Sequence, residues 1–124
     1  MVSSFTDLTV WQEAHKLVLM IYKTTASFPT HEQFGLTSQM RRAVVSVPAN
    51  IVEGFKRQSH QDKLRFYNIA AASLEELKYY LILSTDLSYT AKDLLLSDQA
   101  ESVSRLLYRF IESTQKNHQV RSTP

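Results

Sequence analysis

The chain contains no cysteine, only two glycines and only three prolines among 124 residues. Without thiols it can form neither disulfides nor thiolate metal sites. That fits a reducing compartment and sets the expectation of a cytoplasmic protein. Scarce glycine and proline argue against a turn-rich β architecture and favour long helices. No apolar run approaches the roughly 18 uninterrupted residues that would span a membrane, so no membrane partner is expected. The start, MVSSFTDLTVWQEAHK, lacks the basic stretch and apolar block of a secretory leader. Charge is scarce too: the net value is +2. That permits contact with nucleic acid without supplying the dense basic footprint of a dedicated binder. What remains is ordinary for a folded chain, 44% hydrophobic and 21% charged, enough for a single domain over residues 1–124 with one core.

Four helical stripes can be read along the chain. Trp11, Ala14, Val18, Ile21 and Thr25 recur at helical spacing, flanked by Leu17 and Tyr22. The segment FPTHEQFG then breaks the pattern, punctuated by Pro29 and Gly35. A second stripe runs through Met40, Val44, Val47, Ile51 and Phe55 and keeps its phase across Pro48. This predicts one helix from about Leu36 to Arg57, kinked at Pro48, because the Val44 carbonyl loses its donor there. Ser59 to Asp62 has the form of a capping box, with Asp in place of the preferred Glu. The third helix should follow it and stop near Ser88, using Phe66, Ile69 or Ala70, Ser73, Leu77, Tyr80 or Leu81, and Ser84. Thr90 to Asp93 is a second such box, ahead of a heptad-like stripe through Leu96, Ala100, Val103, Leu107, Phe110 and Thr114. The polar tail is expected to fray from about residue 117. Four helices with short connections and no strand signal predict an all-α fold, an antiparallel up-down-up-down four-helix bundle.

Arg42, Ser46, Asn50, Glu53 and Arg57 share one face of the second helix, bordering its apolar stripe. They could form a site, with Glu53 as base and Arg42 as anion anchor. They could equally form a structural polar seam in which the charges pair, with Glu76 on the third helix as a cross-bundle partner. With no nucleophile, metal-ligand cluster or phosphate loop nearby, the seam is the reading adopted, and no catalytic residue is assigned. On the seam reading Asn50 and Glu53 should be largely buried. Gly54 reads as a close-packing position, since glycine inside a helix otherwise costs about 1 kcal/mol.

His15, His31, His60 and His118 lie in separate segments without His-x-x-x-His or Glu-x-x-His spacing, so no metal site or cofactor is expected. Trp11 and the tyrosines read as packing residues. Lys56, Arg57, Lys63 and Arg65 gather around the turn between helices two and three, and Arg105 and Arg109 lie one turn apart on helix four. Each group is either a solvated face or a set of phosphate contacts. Leu17, Tyr22, Leu74 and Leu106 lie beside the main stripes and predict a second buried contact between subunits.

Three segments carry a family resemblance: FTDLTVWQEAHKL, FPTHEQFGLTSQMRRAVVSVPANIVEGFKRQS and FYNIAAASLEELKYYL. They resemble the bacterial 23S rRNA intervening-sequence proteins over roughly Phe5 to Tyr89. The matching positions begin with Phe5, Leu8, Val10, Trp11 and Ala14. They continue with Phe28, Pro29, Glu32, Phe34, Gly35, Leu36, Gln39, Arg42 and Ala43, then Ser46, Asn50, Ile51, Glu53 and Gly54. Val47 and Val52 replace the family's usual Ile and Ala. Ala72 stands where Gly is usual before the Ser73 and Glu76 pair, which implies slightly wider packing there.

The resemblance implies a ring-shaped homopentamer of four-helix bundles with no enzymatic activity. It also implies a link to nucleic acid, because members are encoded within rRNA intervening sequences or accompany diversity-generating reverse transcriptases. The expectation is therefore a non-enzymatic oligomeric scaffold whose partners are itself and RNA or a nucleic-acid-associated protein. The candidate nucleic-acid-binding residues are Lys56, Arg57, Lys63, Arg65, Arg105 and Arg109. The alternative is a protein–protein adaptor ring without direct nucleic-acid binding, and an enzyme using Glu53 comes last.

Overall fold

In the computed structural model the backbone is described for residues 2–122 and the side chains for residues 2–117. Four helices form the fold: α1 (Thr9–Thr25), α2 (Leu36–Phe55), α3 (His60–Asp86) and α4 (Leu94–Ser122). No strand occurs among the described residues. Each helix packs on its two sequence neighbours and α4 closes back onto α1, so the four make a bundle with α1 diagonal to α3. Residue numbers fall along α2 as they rise along α3: Arg42 meets Glu76, Ser46 meets Ser73, and Gly54 meets Tyr67. The same opposed numbering joins Lys78 to Glu101 and Tyr67 to Phe110 between α3 and α4.

The core is a single apolar cluster. The α2 stripe is fully enclosed at Met40, Val44, Val47 and Ile51, and the α4 stripe at Leu96, Ala100, Val103 and Leu107. On α1 the buried residues are Val10, Ala14, Leu17, Ile21 and Thr25. The stripe is thus centred one position from the expected one, with Trp11 and Val18 at its border. Leu17 and Leu74 belong to the core and are not available to a second subunit, which corrects their expected role. On α3, Tyr67 is buried where Phe66 was expected, and Ile69 is exposed. Ala72 also faces solvent, so its methyl group does not space α3 from its neighbours.

Helix ends follow local chemistry. Pro48 is buried inside α2, which continues on both sides of it. The α2 N-terminus has no side-chain cap at Gly35. Instead Glu32 folds back so that its Oε1 accepts from the Leu36 N–H at 3.0 Å. A Cβ at residue 35 would lie 2.5 Å from that oxygen, so glycine makes room for the cap. Ser59 caps α3 by accepting from the Asp62 N–H at 3.1 Å. Ser88 ends α3 at φ 63°, with the Tyr89 N–H on the Ser84 carbonyl and the Ser88 N–H on that of Thr85, a Schellman closure. α4 is capped by Asp93, which accepts from the Leu96 N–H at 3.1 Å. This corrects the Thr90 box, since Thr90 donates to the Ala91 carbonyl instead. The expected fraying falls on residues whose side chains lie outside the described part.

Candidate functional site

The α2 face divides into three polar groups and is not one continuous seam. At its first turns Arg42 pairs with Glu76 at 2.9 Å, and the same carboxylate oxygen accepts the Tyr80 hydroxyl at 2.6 Å. That bond raises the Tyr80 pKa above its usual 10.0. In the middle, Asn50 donates to the carbonyl and hydroxyl of Ser46, which also bonds Ser73 of α3. This trio is half-buried and fully partnered, as polar groups at a helix crossing must be.

The last group departs from expectation. Glu53 is half-exposed, with 41% of its side chain accessible, and it pairs within its own helix with Lys56 at 3.4 Å and Arg57 at 3.3 Å. Neither Asn50 nor Glu53 is largely buried in the chain, which corrects that expectation. Intrahelical partners three and four positions away reach Glu53 without any tertiary alignment. Arg42 and Glu76 form the cross-bundle pair that was expected.

The cations near the α2–α3 turn are mostly committed. Lys63 donates to the Phe55 carbonyl at 2.7 Å and lies 3.4 Å from that of Gly54, so it satisfies the C-terminus of α2. Burial pushes its pKa down. Arg57 lies over the Phe66 ring at 4.7 Å, and its Nε is buried without a hydrogen-bond partner among the described residues. Arg65 covers the other approach to Phe66 at 4.9 Å.

Arg105 and Arg109 behave differently. Among the described residues neither makes an ion pair, a hydrogen bond or a ring contact. They line a groove of about 600 Å³ between α3 and α4, floored by Ala71, Leu74, Leu107 and Ile111. Tyr108, 68% exposed, stands between them in sequence. Glu75 and Glu112 share the groove but are held by Lys78 and Lys116. Lys78 is the reverse case: burial lowers its pKa, but Glu75 and Glu101 outweigh burial and leave it raised.

Two further features escaped the sequence reading. Tyr89 donates to Glu32 Oε2 at 2.7 Å and lies 3.4 Å from His31 Nε2, which ties the α3–α4 connection to the α1–α2 connection. The Leu36 N–H and then the Tyr89 hydroxyl hold the Glu32 carboxyl below its ordinary range. Arg41 closes α1 by donating to the Thr25 hydroxyl at 2.9 Å and the Tyr22 carbonyl at 3.3 Å while lying over the Tyr22 ring. The aromatic residues are not all packed: Tyr67 is buried, whereas Tyr22, Tyr79 and Tyr108 are exposed. No cluster of three potential ligands capable of holding a metal ion occurs among the described residues, and His118 lies outside the described side chains. No described helix is long and apolar enough to cross a membrane.

A crystal structure of a protein with unknown function from the S23 ribosomal protein family of Bacteroides thetaiotaomicron has a similar fold. Its TM-score is 0.75 at 23% identity, over 83% of this chain and 95% of that one. No curated protein matches the chain. The family description that does match, over residues 6–109, is that of the 23S rRNA-intervening sequence proteins, and the chain belongs to that family.

Proposed function

We propose that the protein is a non-enzymatic oligomeric scaffold, a ring of bundles and most simply a pentamer, that contacts structured RNA or a ribonucleoprotein through basic surface residues. The observation that carries this reading is the free state of Arg105 and Arg109. Cations held by carboxylates have little left to offer a phosphate. These two guanidiniums are uncommitted and flank an exposed tyrosine. Arginine with an aromatic ring is the usual equipment for backbone contact and base stacking. Arg65 joins them as an exposed cation. Lys56 and Arg57 share Glu53, and Lys63 serves α2, so these three are weaker contributors. Glu53 sits between two cations at the surface and lines neither the α3–α4 groove nor its neighbours, which is poor equipment for a general base.

With a net charge of +2 one subunit should bind RNA weakly, and a ring adds repeated weak contacts through effective concentration. The test is fluorescence anisotropy with a labelled RNA hairpin across a salt series, comparing the wild type with the R105E/R109E double variant. Binding should weaken steeply with salt, and the variant should lose affinity for all sequences alike and flatten the salt slope. If the wild type retains no RNA at low salt, the adaptor reading replaces this one.

A further inference from the structure

Phe34 is the most exposed large apolar residue in the described chain, at 89%. It makes no ring contact and lies outside the core cluster. It is nevertheless held in a fixed position. Two residues before it, Glu32 is bonded to both the Leu36 N–H and the Tyr89 hydroxyl, and α2 begins two residues after it. A rigidly presented, solvated phenyl ring resembles an interface anchor more than a residue placed by chance. Around it lie Tyr22, Val45, Arg41 and Arg42, on the α1–α2 edge of the bundle.

The opposite edge, between α3 and α4, carries a groove of about 400 Å³ with Leu81, Ile82, Leu96 and Ala100 among its lining residues. Its rim holds three carboxylates, Asp86, Asp93 and Glu101, against two ammonium groups, Lys78 and Lys92. The surround of Phe34 is basic, through Arg41 and Arg42, so the two surfaces complement each other in shape and in sign. Knob and groove are on opposite edges, because α1 and α2 pack together on one side and α3 and α4 on the other. One chain therefore cannot satisfy itself.

The two features also sit at the same height along the bundle. Arg42 is level with Glu76 and Ser46 with Ser73, which places the Phe34 surround beside the C-terminal half of α3, where this groove opens. We propose that Phe34 of one subunit inserts into the upper α3–α4 groove, lined by Ile82 and Leu96, of a second copy of this chain. The contact is head-to-tail. Because knob and groove share one height, repeating it turns about an axis along the bundle with little rise, which closes a ring and does not extend a filament. This rests on the oligomeric part of the function proposed above and supplies its interface.

The test uses light scattering on the full chain at tens of micromolar, with F34E altering the knob and I82E the groove. Both side chains are exposed, so circular dichroism should show each variant folded like the wild type. The wild type should run at a multiple of 14.3 kDa and each variant as a monomer. Mixed together, the two variants should form a one-to-one dimer that grows no further, because only one intact knob and one intact groove remain. If F34E keeps the wild-type mass, Phe34 is not the anchor although the oligomer stands. If F34E keeps that mass and loses only RNA binding, Phe34 is a base-stacking platform and the proposal is overturned. A monomeric wild type overturns both the contact and the oligomer.

Discussion

Replacing Gly54 with Ala tests the packing at the α2–α3 crossing, because two effects of opposite sign compete there. In an open helix interior the substitution stabilises by about 1 kcal/mol through helix propensity. Here the new methyl carbon would lie 2.5 Å from Tyr67 Cε1, 2.8 Å from Cδ1 and 3.1 Å from the Lys63 carbonyl oxygen. The ring has no free space to retreat into: Tyr67 is buried and packs against Phe110 at 4.7 Å between centroids. Overpacking of this kind costs about 1–3 kcal/mol, and a clash with both ring and backbone belongs in the upper half of that range. The net expectation is a loss of about 1–2 kcal/mol in urea unfolding followed by circular dichroism at fixed protein concentration. In a Tyr67→Ala background, itself about 3 kcal/mol less stable, the same change should become neutral or slightly stabilising. The two sites should therefore couple by about 2 kcal/mol. A Gly54→Ala protein as stable as the wild type would refute the close-packing account.

Other substitutions and titrations probe the rest of the structure. Glu53→Ala should cost less than about 1 kcal/mol, since its ion pairs are half-exposed and local; a loss near 3 kcal/mol would place the residue in a buried interface. Ser88→Gly should stabilise by about 0.5–1 kcal/mol, because Ser88 adopts a positive φ that glycine takes freely; an unchanged unfolding midpoint would count against that. Glu32 has a depressed folded-state pKa, so its contribution is present above its ordinary 4.5 and disappears as pH falls through the folded value. Glu32→Gln should accordingly flatten the fall of Tm between about pH 3 and 4.5, and a parallel curve would exclude the clamp. The buried Tyr67 phenol is pushed up to about 12 from 10.0, so the unfolded state ionises first and stability should decline as pH rises through that window. Tyr67→Phe should remove part of the decline.

The bundle was legible because its helices carry long, regular stripes, clearest in α4, where every expected position from Leu96 to Leu107 is buried. In α1 the stripe was misplaced by one residue. Trp11 and Val18 repeat with the same spacing as Val10 and Leu17, and only the neighbouring helices decide which pair faces inward. The cap of α4 was misread because Thr90 and Asp93 both carry capping chemistry, and the choice depends on where the helix begins. Spacing identified the polar face of α2 but not its pairing. It could not show that Glu53 would take partners on its own helix while Arg42 crossed to Glu76. The commitment of Lys63 to the end of α2, and the freedom of Arg105 and Arg109, depend on contacts that no local pattern encodes. Phe34 was hidden for a simpler reason. A phenylalanine beside a turn glycine looks like core in sequence, and its exposure emerges only from where the turn places it.

The claim that weak basic contacts become useful only when a ring repeats them can be tested by one comparison. Anisotropy of a labelled RNA hairpin at low salt should be measured with the wild type and with the F34E variant, whose Arg65, Arg105 and Arg109 are intact, after light scattering confirms their masses. The account predicts that the monomer binds at least about 100-fold more weakly, the scale of gain that multivalency supplies. Equal affinity of ring and monomer would contradict it.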